Sequence, residues 1–266
     1  MLTIIPGAPS RALGFIKGQK VMANIALIDA DSIYFRVAYK TKNEKEIRKN
    51  IDIMMKEIEG QCLMPDEMKV AVKGFGNFRK DIYPEYKQNR KELEPDMKWA
   101  LKKGHEHMIK KWGAVQADGM EADDLVAIWA YEARANEDAY VVVGIDKDLK
   151  QIPGNHYNFV KKEHCFIDDD EAHLLLMTQC LTGDNSDNIP GIKGVGPVKA
   201  KKILSGIARD RRWGRVKAAW RANGTGDPSM SLRLLTMLTS MEELDEISGK
   251  TSVSEPNVGS EGKEDV

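Results

Sequence analysis

The chain has 266 residues, 42% of them hydrophobic, and its 40 Lys and Arg nearly balance 41 Asp and Glu for a formal net charge of −1. That is enough apolar material for one large core, or a domain with a smaller appendage, and no apolar run approaches the ~18–20 residues of a membrane span. Cys62, Cys165 and Cys180 are odd in number and far apart, which argues against a disulfide scaffold or a zinc site and fits a reducing, cytoplasmic setting.

In chain order, residues 1–22 lack the apolar core and cleavage signal of a secretory leader and read as a loose extension. Ile25–Ile28, Val70–Val72 and Tyr140–Val143 are predicted buried strands. Glu44–Glu59, Asp96–Lys111, Glu121–Ala135 and Glu171–Leu181 are predicted helices. Such alternation implies an α/β domain over about 23–180, with a mostly parallel central sheet flanked by helices. Beyond it come Gly-rich turns and short basic helices at Val198–Leu204, Arg211–Arg221 and Ser231–Leu238. They predict a helical subdomain over 181–247. Residues 248–266, poor in apolar side chains, read as a disordered tail.

The neutral sum hides an uneven distribution. Lys and Arg crowd 73–111 and 193–217, while acids gather in short motifs, a pattern compatible with a nucleic-acid partner. Two predicted strands run directly into aspartates, Asp29 and Asp146, where open α/β sheets carry their chemistry. Glu121, Asp123 and Asp124 open a helix; Glu121 and Asp124 share a face, and acids there also suit the helix dipole. Asp146 and Asp148 alternate after a strand. Asp184 and Asp187 lie in Gly183–Asn188.

Were these carboxylates to converge, each close pair would cost ~1 kcal/mol at 4 Å in water and about four times that at an effective dielectric of 20. Cations would be needed. Hard oxygen donors suit Mg²⁺ or Mn²⁺, and two such ions can serve an in-line displacement at phosphorus.

Gly191, Gly194 and Gly196 surround Lys193 and precede a helix bearing Lys199, Lys201 and Lys202. Backbone N–H groups and lysines so arranged predict a helix–hairpin–helix grip on the DNA backbone. Arg79, Tyr83, Tyr86, Lys87 and Arg90 interleave aromatics with cations, which suits frayed or single-stranded DNA. Lys87 is placed to stabilise charge on a phosphate.

Leu27-Ile28-Asp29, Arg79 with Tyr86–Arg90, Glu121–Asp124 with Gly144–Asp148, and Gly183-Asp184 through Gly196 together resemble the 5′-nuclease superfamily of flap endonucleases and 5′-3′ exonucleases. The short length is most similar to the stand-alone exonucleases of short-tailed phages.

The resemblance implies a PIN-like fold with a helical arch around 78–110. It implies one metal position near Asp29, Glu121, Asp123 and Asp124, and another among Asp146, Asp148, Asp184 and Asp187. Lys87 and Arg90 would act on the scissile phosphate. Gly191–Gly196 would grip duplex DNA, in this family often with bound K⁺.

The implied activity is metal-dependent hydrolysis of DNA, or of an RNA primer in a hybrid, near 5′ ends by a monomeric phage replication, recombination or host-DNA-degrading enzyme. One departure stands out: the family places an aspartate at the end of the second strand, where this chain has Lys73. That motivates an alternative, a catalytically weakened relative that binds DNA junctions. A PIN-type ribonuclease is a third reading.

Overall fold

The computed structural model describes residues 24–224 and 226–249. The extension expected at 1–22, and all but the first two residues of the tail expected at 248–266, lie outside the described residues.

A six-stranded sheet has the order β3-β2-β1-β4-β5-β6: β1 (Asn24–Asp29), β2 (Glu67–Lys73), β3 (Val115–Ala117), β4 (Ala139–Val143), β5 (Gly154–Asn158) and β6 (Glu163–Ile167). All pairings are parallel except β5 with β6. The three strands expected from apolar runs are β1, β2 and β4, the central ones. Strands buried on both faces read as continuous apolar runs, whereas Gly154–Asn158 and Glu163–Ile167 carry too many polar residues to give that signal.

Period-two alternation divides β1 between two layers. Ile28 joins Val70, Val72 and Val143 under α1 (Asp31–Lys40), α2 (Glu44–Gln61) and α4 (Pro95–Trp112). Leu27 joins Ala71 and Val142 under α5 (Ala122–Ala135). Leu27 and Ile28 are fully buried, so Leu27→Ala would cost about 2–5 kcal/mol. Between α2 and α4, His107 Nε2 and Trp112 Nε1 both lie against Asp52 Oδ1, at 2.8 and 2.9 Å.

The stretch where an arch is expected, 78–110, holds two helices. A short α3 (Phe78–Ile82) leads into a turn-rich stretch, and α4 lies flat on α1. It packs closely because residue 104 is glycine: a Cβ there would come within 2.7 Å of Tyr34 Cβ.

A third core holds α6 (Asp169–Thr182), α7 (Pro197–Leu204), α8 (Arg209–Ala222) and α9 (Ser229–Leu235), together with Tyr86. The boundary expected at 180/181 lies inside α6, which packs with the C-terminal helices. Met237 and Leu238, with Leu244 of α10 (Met241–Ile247), return to the α5 layer.

Candidate active site

Parallel register brings the ends of β1, β2 and β4 to one edge, with Asp29 beside Ala71 and Ile28 beside Val143. The chain reverses its direction of sheet growth between β1 and β4, and open α/β sheets build their sites at such a point. Asp29, Asp146 and Asp148 lie at this edge, with Asp123 at the start of α5 close enough to feel Asp29. Gly144 lets β4 pass there: a Cβ on it would meet Leu149 Cδ1 at 2.2 Å and lie 3.5 Å from Asp29 Cβ.

These acids repel one another. Burial, then Asp31 and Asp146, push the Asp29 carboxyl up to about 7. Burial and Asp146 push Asp148 up to about 6, although Lys147 and Gln179 oppose the rise. Asp123 is pushed well above the usual carboxylate range by burial and by its neighbours Asp124 and Glu121. Desolvation and like charge both disfavour ionisation, and a cation would relieve both.

The donors are all oxygens, and Asp29, Asp123 and Asp146 have no Lys or Arg partner within ion-pair distance among the described residues. That chemistry fits a hard divalent ion. Among the described residues no three His, Cys, Asp or Glu side chains already converge closely enough to enclose one.

Glu121, Asp184 and Asp187 are instead neutralised within the protein. Lys87 forms ion pairs with Glu121 and, at 3.4 Å, with Asp187; Arg90 pairs with Asp187 at 2.6 Å. The Tyr86 hydroxyl lies 2.9 Å from Glu121 Oε2 and 3.1 Å from Asp187 Oδ2, and Asn77 donates to Glu121 at 3.0 Å. Lys87 adopts a left-handed backbone (φ 58°), and its N–H donates to the Asp187 carbonyl at 2.9 Å. Burial raises Asp184, but hydrogen bonds from Lys147 (2.6 Å) and the Ser186 N–H (2.7 Å) prevail and hold its carboxyl below the ordinary value.

Several expectations need correction. Asp124 is not placed to bind metal. Fully buried, it takes Arg79 in two hydrogen bonds of 2.5 and 2.8 Å, and its oxygens also accept the N–H groups of Leu238 (3.2 Å) and Glu121 (3.1 Å). Arg79 is not placed to bind DNA. It is 3% exposed and donates its other hydrogen bonds to the Leu234 and Thr236 carbonyls at 2.7 and 3.0 Å. The Leu234 and Thr236 carbonyls lie where the helix expected to reach Leu238 ends, at Leu235. Tyr86, 2% exposed, has no face free to stack on a base, and Tyr83 is half-buried against the same C-terminal core.

The hairpin between α6 and α7 leaves Lys193, Lys199, Lys201 and Lys202 exposed, with no carboxylate within ion-pair distance among the described residues. Lys199 Nζ donates to the Gly194 carbonyl at 2.8 Å. Gly194 has φ 76°, and a side chain there or on Gly196 would meet only open space. Gly191 is also required for the loop to close on itself: a Cβ would lie 2.2 Å from the Gly183 nitrogen and the Thr182 carbonyl carbon.

Sequence reasoning overlooked Asp31, Tyr34, Lys147 and Gln179. For Asp31 the signal was present, since Asp29-Ala30-Asp31 repeats the spacing of Asp146-Lys147-Asp148.

Acidic strand ends at the switch point of a parallel sheet, beside a basic helical hairpin, define an α/β protein suited to work on phosphate esters. Residues 24–175, more than half of the chain, match the family described as the 5′-3′ exonuclease, N-terminal resolvase-like domain, and the chain belongs to that family.

Among similar proteins are DNA polymerase I of Rhizobium leguminosarum, 34% identical over 140 residues, and flap endonuclease Xni of Shewanella sp. (strain W3-18-1), 30% identical over 141. Each match covers 48% of this chain, but only 14% of the polymerase and 52% of Xni. The fold is similar to that of the T5 D15 protein co-crystallised with metal ions, with TM-score 0.66 and 17% identity over 85% of this chain and 97% of that one. A complex of the bacteriophage T5 D15 flap endonuclease with DNA and metal ions aligns with TM-score 0.60 and 18% identity, over 85% of this chain and 97% of that one. Among the described residues no helix is long and apolar enough to cross a membrane.

Proposed function

We propose that the chain is a divalent-metal-dependent nuclease that hydrolyses DNA phosphodiesters near 5′ ends, as a 5′-3′ exonuclease or flap endonuclease. The observation that carries this reading is the group of mutually repelling carboxylates Asp29, Asp123 and Asp146, without an ion-pair partner among the described residues, at the switch point of a sheet in this family. The names of the relatives and the DNA- and metal-bound T5 structure support the same reaction.

Asp29, Asp123, Asp146 and Asp148 would hold Mg²⁺ or Mn²⁺, with Glu121, Asp184 and Asp187 around them. When bound, the ions would supply a nucleophilic hydroxide and stabilise the leaving oxygen.

The chain's own residues do the rest. Lys87 and Arg90 lie against Glu121 and Asp187 and would exchange these partners for a phosphate brought to the acids. The exposed lysines of 193–202 hold duplex backbone without reading sequence. A K⁺ at the hairpin, action on RNA–DNA hybrids, a phage origin and a cytoplasmic site of action extend the proposal.

Cleavage of a 5′-labelled flap and a blunt duplex, with Mg²⁺, Mn²⁺ or EDTA, tests it against Asp146→Asn. Metal-dependent cutting that disappears in the variant is expected. Tight binding of both substrates with no cutting in either metal would leave a junction-binding protein instead. That second reading is favoured by one observation: Glu121 and Asp187 are already neutralised by Lys87 and Arg90.

A further inference from the structure

The two strands flanking the switch point end alike. β1 runs into Asp29-Ala30-Asp31 and β4 into Asp146-Lys147-Asp148. In each, the backbone N–H of the second aspartate donates to Oδ1 of the first, at 3.2 Å for Asp31 to Asp29 and 3.0 Å for Asp148 to Asp146. In each, the second carboxylate is also gripped from outside through Oδ1. Gln179 donates to Asp148. Asp31 receives the Tyr34 hydroxyl at 2.5 Å and the Lys73 N–H, from the end of β2, at 2.8 Å.

The grip on Asp31 is rigid. Tyr34 is 7% exposed, packed in the core on Gly104, and lies edge-on to His105 at 5.9 Å. The Nε2 of His105 in turn lies 2.9 Å from the Lys73 carbonyl oxygen. Both described donors reach Oδ1, so Oδ2 accepts from neither. Asp31 has no ion pair with Lys or Arg among the described residues.

An acid in the first turn of α1 is favourable on its own account, but that role needs no buried tyrosine to fix its orientation. Nor does it explain a second charge beside the already unpaired Asp29. A carboxylate with one oxygen held by structural donors and the other left over is the arrangement that orients a metal ligand.

We propose that Asp31 is a further ligand of the divalent cation at the β1–β4 edge, the counterpart on β1 of Asp148 on β4, with Tyr34 and the Lys73 N–H as its positioning groups. This rests on the nuclease reading above and adds to it a ligand supplied from β1.

The test is a calorimetric titration with Mn²⁺, without DNA, of the wild type, Asp31→Asn, Tyr34→Phe and Asp96→Asn; Asp96 is an exposed acid in the first turn of α4. Asp31→Asn should bind Mn²⁺ at least ~10-fold more weakly, Tyr34→Phe more weakly by a smaller factor, and Asp96→Asn as the wild type does. Asparagine keeps an acceptor for Tyr34 and Lys73, so the metal-free Tm of Asp31→Asn should hold or rise.

Unchanged Mn²⁺ affinity in Asp31→Asn, or a fall in its metal-free Tm as the sole effect, would overturn the assignment while leaving the nuclease reading intact. A wild type that binds no Mn²⁺ would overturn both. Should Asp31→Asn fail to fold, Tyr34→Phe carries the decision: affinity equal to the wild type counts against Asp31, and a reduced affinity supports it.

Discussion

The ends of β1 and β4 and the interface around Asp124 use the same residue type for opposite purposes. Among the described residues Asp29 and Asp146 form no ion pair with Lys or Arg, and burial with like charge drives the Asp29 carboxyl up to about 7. Asp124, buried as Asp29 is, is matched by Arg79 and backbone N–H groups, so its charge ties α3, α5 and the end of α9 together. The lesson is that an acid's job follows from whether the fold gives it a partner. Charges left unmatched mark where a ligand should come; matched ones hold the frame.

If that division is right, the frame should break first. Arg79→Ala strands the Asp124 carboxylate in the core, and a loss of about 3–5 kcal/mol in urea unfolding is expected. Replacing both residues with leucine should cost less than Arg79→Ala alone.

Asp29→Asn should behave oppositely. Metal-dependent cleavage should fall by roughly 100-fold or more, corresponding to about 3 kcal/mol of barrier, while urea stability holds or rises. Equal destabilisation by Asp29→Asn and Arg79→Ala would erase the contrast.

Tyr86→Phe lies between the two regions. Its hydroxyl serves Glu121 and Asp187, and deleting it should cost ~1 kcal/mol of stability by thermal or urea unfolding.

The smallest effect is expected at the hairpin. Lys201→Ala should weaken binding to any duplex alike and reduce the slope of log affinity against log salt by roughly one. A sequence-dependent loss would show that this surface does more than hold phosphates.

Before any coordinates, much of this division could be read, but not its most consequential part. Central strands β1, β2 and β4 announce themselves because burial on both faces demands unbroken apolar runs. The aspartates at the ends of β1 and β4, with the general tendency of parallel sheets to work at the carboxyl edge, pointed to the candidate site. Edge strand β6 stayed hidden because none of its residues is buried. Helix α1 escaped because its Ile33, Tyr34, Phe35 and Val37 suit strands as well as helices.

Arg79 and Tyr86 show the limit most clearly. An arginine or tyrosine among basic residues reads as a hand held out to DNA, and only packing reveals that both are turned inward.

By itself the sequence determined the α/β class, the acid-bearing strand ends and the basic hairpin, since periodicity and spacing are local properties of the chain. Tertiary structure alone decided which acids find partners. Pairing depends on side chains 45 residues apart for Arg79 with Asp124, and 101 apart for Tyr86 with Asp187, meeting in a common low-dielectric interior.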